Sequence, residues 1–154
     1  MDKHLNQIFV KVNQRLIPLI LSLVLLLTAA APYGSGKANA AQTGSRIVKI
    51  AAGAYHSLAL KANGTVVAWG DNSQGQTEVP DELTVPGTVV DIAAGTYHSL
   101  ALKSDGTVVA WGFNSKGQAD VPDELTVPGT VVGIAAGYQH SLALKSDGTV
   151  EAWG

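Results

Sequence analysis

AAGAYHSLALKANGTVVAWG (residues 51–70), AAGTYHSLALKSDGTVVAWG (93–112) and AAGYQHSLALKSDGTVEAWG (135–154) are one sentence written three times. The spacing is fixed at 42 residues, kept by His56, His98 and His140 and again by Trp69, Trp111 and Trp153. A period of about 40–50 residues made of short strands points to propeller blades rather than to helical solenoids. Two repeats are complete, 47–88 and 89–130, and a third runs over 131–154 and stops after its tryptophan.

Each repeat divides into elements for physical reasons. IVKIAAG (47–53) is a β-branched run stopped by glycine, and HSLALK (56–61) alternates so that His56, Leu58 and Leu60 share one face. Asn63-Gly64, Asp105-Gly106 and Asp147-Gly148 stand between HSLALK and the TVVAWG-type segment, where they predict a two-residue type I′ hairpin turn. A polar loop, DNSQGQ in the first repeat, follows, and then TEVP, expected as a fourth, outer strand whose end suits Pro80 and, in the second repeat, Pro122. PDELTVPG is read as a connector, with no helix in the repeats. The fold class is therefore all-β, with blades of antiparallel meander sheets in an incomplete arc.

The repeat I-A-A-G-x-x-H-S-L-A-L-K-x-D-G-T-V-x-A-W-G-x-N-x-x-G-Q fills 50–76 and 92–118 and runs partway through 134–154. It resembles the bacterial form of the regulator of chromosome condensation repeat family. The resemblance implies a β-propeller, typically of seven blades, each a four-stranded antiparallel sheet. Three repeats fall well short of that, so each end of an isolated arc would leave apolar surface wet, a loss on the order of 10 kcal/mol per face. The expectation is an N-terminal fragment of a longer chain. The alternative is ring closure by self-association through the open blade faces.

The N-terminus supplies the compartment. Lys3, Lys11 and Arg15 precede the apolar run LIPLILSLVLLLTAAA (16–31), and Ala38-Asn39-Ala40 has the form of a signal-peptidase site. Residues 1–40 read as a secretory signal, 41–46 as a short lead, and the product as secreted or cell-wall associated, with no membrane attachment after cleavage. Beyond residue 40 there are six Lys/Arg against eleven Asp/Glu, a net of −5 with neutral His. Such a chain is a poor ligand for phosphate backbones, so nucleic acid is not expected as a partner. The absence of cysteine removes disulfides and thiolate chemistry.

No enzyme motif stands out, and no cofactor or metal is expected. The three histidines sit at one repeat position and share a face with leucines, which fits a buried imidazole bonded to a nearby backbone or hydroxyl group better than a metal ligand. The tryptophans read as blade packing. The SDGT segments lack the spaced carboxylates of a calcium loop and read as turns. Guanine-nucleotide exchange, which one eukaryotic member of the family performs, is not carried over, because its specific loops have no counterpart in these residues.

Differences among the repeats concentrate at 54–55, 96–97 and 138–139, and at 71, 74, 113 and 116. In an up-and-down meander, the loop between the first and second strands shares a rim with the loop after the third, since an even number of reversals separates them. One rim should therefore carry Tyr55, Tyr97, Tyr138 and Phe113 with Asp71, Asn72, Asn114, Gln74 and Lys116 around them. Aromatic surfaces framed by polar side chains suit protein binding. The expected function is an exported, non-catalytic module that binds a protein or cell-surface ligand. The alternative implied by the resemblance is inhibition of class A β-lactamases, an activity of a secreted bacterial propeller of this family with similar repeats.

Overall fold

The computed structural model describes residues 45–154, so the predicted signal over 1–40 and most of the lead lie outside the described residues. Among these residues nine strands make three sheets of one plan. The first holds β1 (Ile47–Ala52), β2 (His56–Lys61) and β3 (Val66–Gly70). The second holds β4 (Val89–Ala94), β5 (His98–Lys103) and β6 (Val108–Gly112). The third holds β7 (Val131–Ala136), β8 (Ser141–Lys145) and β9 (Val150–Trp153). Each sheet is an antiparallel meander in sequence order, with His56 opposite Gly70 and Leu60 opposite Val66 in the first. The three blades form an open arc.

The hairpin turns are one residue longer than the type I′ expectation. Lys61 N–H bonds Thr65 O at 2.9 Å and Gly64 N–H bonds Lys61 O at 2.8 Å, which encloses three loop residues with Gly64 at φ 79°. This is a type I turn closed by a left-handed glycine, and only the glycine needs positive φ. Asn63 serves through its side chain, whose Oδ1 accepts Thr65 N–H at 3.2 Å and Thr65 Oγ1–H at 2.9 Å. Asp105 and Asp147 hold Thr107 and Thr149 in the same way.

The fourth strand does not form: each described sheet has three strands. In the segment after β3, Thr77 N–H bonds Asn72 Oδ1 at 3.0 Å, Glu78 N–H bonds Gly75 O at 3.1 Å, and Val79 N–H bonds Thr77 O at 3.0 Å. Those donors are spent locally and Pro80 has none, so no ladder to β3 remains. The connectors contain helix after all, as single 3₁₀ turns over Asp81–Thr84 and Asp123–Thr126, entered through Pro80 and Pro122.

These turns fill the space between blades. Leu83 is fully buried with Leu58, Leu60 and Val66 of the first blade and with Ile92, Ala101 and Trp111 of the second. Leu125 repeats the role with Leu102, Val108, Val131 and Ala143. Each leucine so buried contributes about 1.5–3 kcal/mol relative to exposure. Burial on both faces explains why β5 shows no exposed face. At the ends of the arc the same positions are wet: Ile50 is 74% exposed where Ile92 is 2%, and Trp69 is 53% exposed where Trp111 is 7%. Blade packing by tryptophan thus holds for Trp111 but not for Trp69.

Candidate functional site

The aromatic rim is set by two backbone bonds that repeat from blade to blade. Asp71 N–H bonds Tyr55 O at 2.8 Å, and Phe113 N–H bonds Tyr97 O at 2.9 Å. The loop before each central strand is thereby tied to the loop after the third, on one rim as the meander argument expects. On the opposite rim Gly87 N–H bonds Asn63 O at 2.6 Å and Val89 N–H bonds Gly64 O at 3.0 Å, which joins each hairpin turn to its connector.

Equivalent positions on adjacent blades bring the rings together. Tyr55 and Tyr97 stack with centroids 5.5 Å apart and planes at 22°, and Phe113 meets Tyr97 edge-on at 6.2 Å and 68°. Burial raises the Tyr97 phenol above its ordinary pKa, and the neighbouring Tyr55, Tyr138 and Asp71 push in the same direction. Tyr55 and Tyr138 remain 61% and 68% exposed, so the cluster offers ring area to solvent.

The polar residues around the rings divide by role. Asp71 Oδ2 accepts the Ser73 hydroxyl at 2.8 Å and Gln76 Nε2 at 2.8 Å, while Oδ1 accepts Ser73 N–H at 3.3 Å. The Ser73 hydroxyl leads in holding its carboxyl below the usual range. Asn72 and Asn114 are on the rim but turned back into their loops. Asn72 donates to Glu78 Oε1 at 3.2 Å and accepts Thr77 N–H; Asn114 donates to Asp120 Oδ1 at 2.7 Å and accepts Ala119 N–H at 2.9 Å. Their amides brace loops instead of facing outward. Gln74 and Lys116 are exposed, and their side chains make no hydrogen bond among the described residues.

The histidines belong to a clamp between blades. His56 Nε2 lies 3.0 Å from Ser99 Oγ, and Ser99 Oγ–H donates to Gln76 O at 2.9 Å, which also accepts Trp111 Nε1–H at 3.0 Å. The serine proton is committed to Gln76, so His56 Nε2 is the donor in this contact, and burial lowers the His56 pKa from its ordinary value. His98, Ser141 and Gln118 repeat the relay at 3.1 and 2.8 Å. His140, with no later blade beside it among the described residues, is exposed. Burial is the first cause that pushes His98 down to about 4, and the neighbouring His56 adds to it. Among the described residues no three His, Asp or Glu side chains gather into a metal-sized cluster.

Sequence reasoning missed Ser99, Ser141, Gln76 and Gln118 as the partners in this clamp. The available signal was that Gln76 and Gln118 recur in both complete repeats beside glycine. It also missed the ion pair between Lys49 of β1 and Asp91 of β4, which joins the first two blades at a position where the third has Gly133.

The family model for the regulator of chromosome condensation (RCC1) repeat matches residues 47–76, 89–118 and 131–154. No curated protein matches the chain. Among solved structures, yeast RCC1 (Prp20) bound to Kap60 is similar at 32% identity and TM-score 0.56, over 69% of this chain and 29% of that one. The structure of Prp20p from Saccharomyces cerevisiae, described with its binding properties to Gsp1p and histones, matches at the same identity and TM-score. Human WBSCR16 is 27% identical with TM-score 0.59, over 71% of this chain and 34% of that one. The chain thus spans about a third of the length of these relatives. Three matched repeats, each folded as a meander blade, place the chain in the RCC1 repeat family.

Proposed function

We propose that the protein is an exported, non-catalytic RCC1-repeat module that binds a protein or cell-surface ligand through its aromatic rim. The observation that carries this reading is the continuous Tyr55–Tyr97–Phe113 cluster, which crosses from one blade to the next with Tyr55 largely exposed. Rings held by neighbours lose little side-chain freedom on binding, and their faces supply the apolar contact that anchors an interface. Protein partners named for yeast RCC1, namely Kap60, Gsp1p and histones, support a protein-binding use of the fold. Export rests on the basic, apolar and small-residue order of residues 1–40, and the acidic balance beyond them disfavours nucleic acid.

The test compares capture of ligand from the culture's extracellular and cell-wall fraction by the parent chain and by Tyr97→Ala. Loss of a specific partner with unchanged melting supports the rim. Equal capture by both sinks it. Inhibition of class A β-lactamase is a narrower form of the same reading and stands on the same rings; hydrolysis of a chromogenic β-lactam with and without the protein separates the two.

A further inference from the structure

The loops after β3 and β6 have the same backbone pattern but differ in chemistry at two residues. The first reads Asp71-Asn72-Ser73-Gln74 and the second Phe113-Asn114-Ser115-Lys116. In the first, the Asp71 carboxylate collects Ser73 N–H, the Ser73 hydroxyl and Gln76 Nε2. The molecule therefore shows, in its own first blade, what that ring of donors is shaped to hold. In the second, Phe113 stands in the place of the carboxylate and leans edge-on to Tyr97.

The donors remain. Lys116 N–H bonds Gln118 Oε1 at 2.8 Å, as Gln74 N–H bonds Gln76 Oε1 at 2.8 Å, so both amides are oriented alike. Gln118 is fully buried, and its Nε2 has no acceptor among the described residues. A buried donor left without an acceptor is costly, and an oxygen that reaches it gains more than a solvent-exposed bond would. Ser115 N–H and Oγ likewise bond nothing among the described residues, where Ser73 serves Asp71. Both substitutions move the loop the same way, since a carboxylate has gone and an ammonium has come.

We infer that the second loop is a carboxylate-binding notch, built to take an Asp or Glu side chain of a partner protein in the place that Asp71 takes in the first blade. The inference rests on the rim as the binding surface and adds the chemistry of the partner. Gln118 Nε2, Ser115 N–H and Ser115 Oγ hold the carboxylate oxygens, and Lys116 supplies the charge. Gln118 Nε2 is closed to solvent and Phe113 stands where the first blade has its carboxylate, so entry goes with rotation of that half-buried ring. The carboxylate belongs to a protein because Phe113, in the notch itself, and Tyr97, edge-on to it, offer ring area that a small free acid cannot cover.

The test is a titration of the isotope-labelled chain, followed through the side-chain amide resonances of Gln118. The probes are sodium acetate and an acetylated, amidated Gly-Asp-Gly peptide, with sodium chloride at matched ionic strength as control. The Gln118 amide is expected to shift and saturate with the peptide, and to do so at lower concentration than with acetate. Phe113→Asp, which supplies the carboxylate internally, should abolish the response and raise the melting temperature by several degrees. Lys116→Gln should weaken the peptide several-fold without altering the fold. A Gln118 amide that ignores the peptide, or acetate binding as tightly as the peptide, overturns the notch. A silent Gln118 with partner capture still lost in Tyr97→Ala sinks the notch alone, whereas a responsive Gln118 with capture kept in Tyr97→Ala sinks the aromatic rim.

Discussion

Ser99 Oγ of β5 sits 3.0 Å from His56 Nε2 of β2 and donates its own hydrogen bond to Gln76 O, so one hydroxyl joins two blades. Ser99→Ala leaves the buried His56 N–H without an acceptor and strips one of the two donors on Gln76 O. The expected cost is about 1–3 kcal/mol, measured as a lower urea midpoint at unchanged slope. Ser104→Ala serves as the control, since Ser104 is exposed beyond β5 and its side chain makes no hydrogen bond among the described residues.

Gly95 lies against the His98 ring, and a methyl group there would overlap the ring carbon between its nitrogens and crowd Gly137 O. Gly95→Ala must displace an imidazole locked by Ser141, so the expected destabilisation is about 3 kcal/mol. Gly87→Ala meets no atom within 4 Å and loses only the ease of a left-handed φ of 83°, costing about 1 kcal/mol. Thermal unfolding of the two variants side by side checks the ranking.

Acid should loosen the clamp before it protonates the carboxylates. His98 titrates near 6.5 when unfolded and near 4 when folded, so between those values the unfolded chain binds the extra proton. The stability from its neutral form is complete above about pH 6.5 and is lost as pH falls toward 4. Discounted for screening, the loss is about 2 kcal/mol over that window. His98→Gln should flatten the fall in melting temperature between pH 6.5 and 4.5, while Asp71, Asp105 and Asp147, all held low by hydrogen bonds, leave an acid limb below it.

Trp111 and Trp69 occupy one repeat position in two environments, and so test the packing account directly. Trp111→Phe gives up the bond to Gln76 O and packing at a 7% exposed site, for about 1–2 kcal/mol. Trp69→Phe, at 53% exposure, should stay within about 0.5 kcal/mol. Equal costs in denaturant melts would mean that the two positions are equally packed in solution.

The strands and the rim were legible because both follow from local pattern. Alternation in HSLALK fixes a strand, the 42-residue period fixes the blade, and the parity of the meander puts Tyr55 and Asp71 on one side. What was illegible depends on partners far along the chain. His56 and Ser99 are 43 residues apart and Ser99 and Gln76 are 23 apart, so nothing near His56 announces its acceptor. The 3₁₀ turn inside the connector was hidden for a different reason: Pro-Asp-Glu-Leu fits a solvated linker as well as a 3₁₀ turn, and only the void between blades makes Leu83 a core residue. Asn72 and Asn114 looked available because their bonds to Glu78 and Asp120 close inside the loop, where composition gives no direction.

The central claim is that the Tyr55–Tyr97–Phe113 rim, and not the opposite rim, meets the partner. The most direct measurement is capture from the extracellular and cell-wall fraction by Tyr97→Ala and by Glu82→Ala, the latter on the exposed connector side, each with its melting temperature recorded. The account predicts that Tyr97→Ala loses the partner while both variants melt within about 2 °C of the parent and Glu82→Ala captures normally. Equal capture by the two variants, or loss confined to Glu82→Ala, would contradict it.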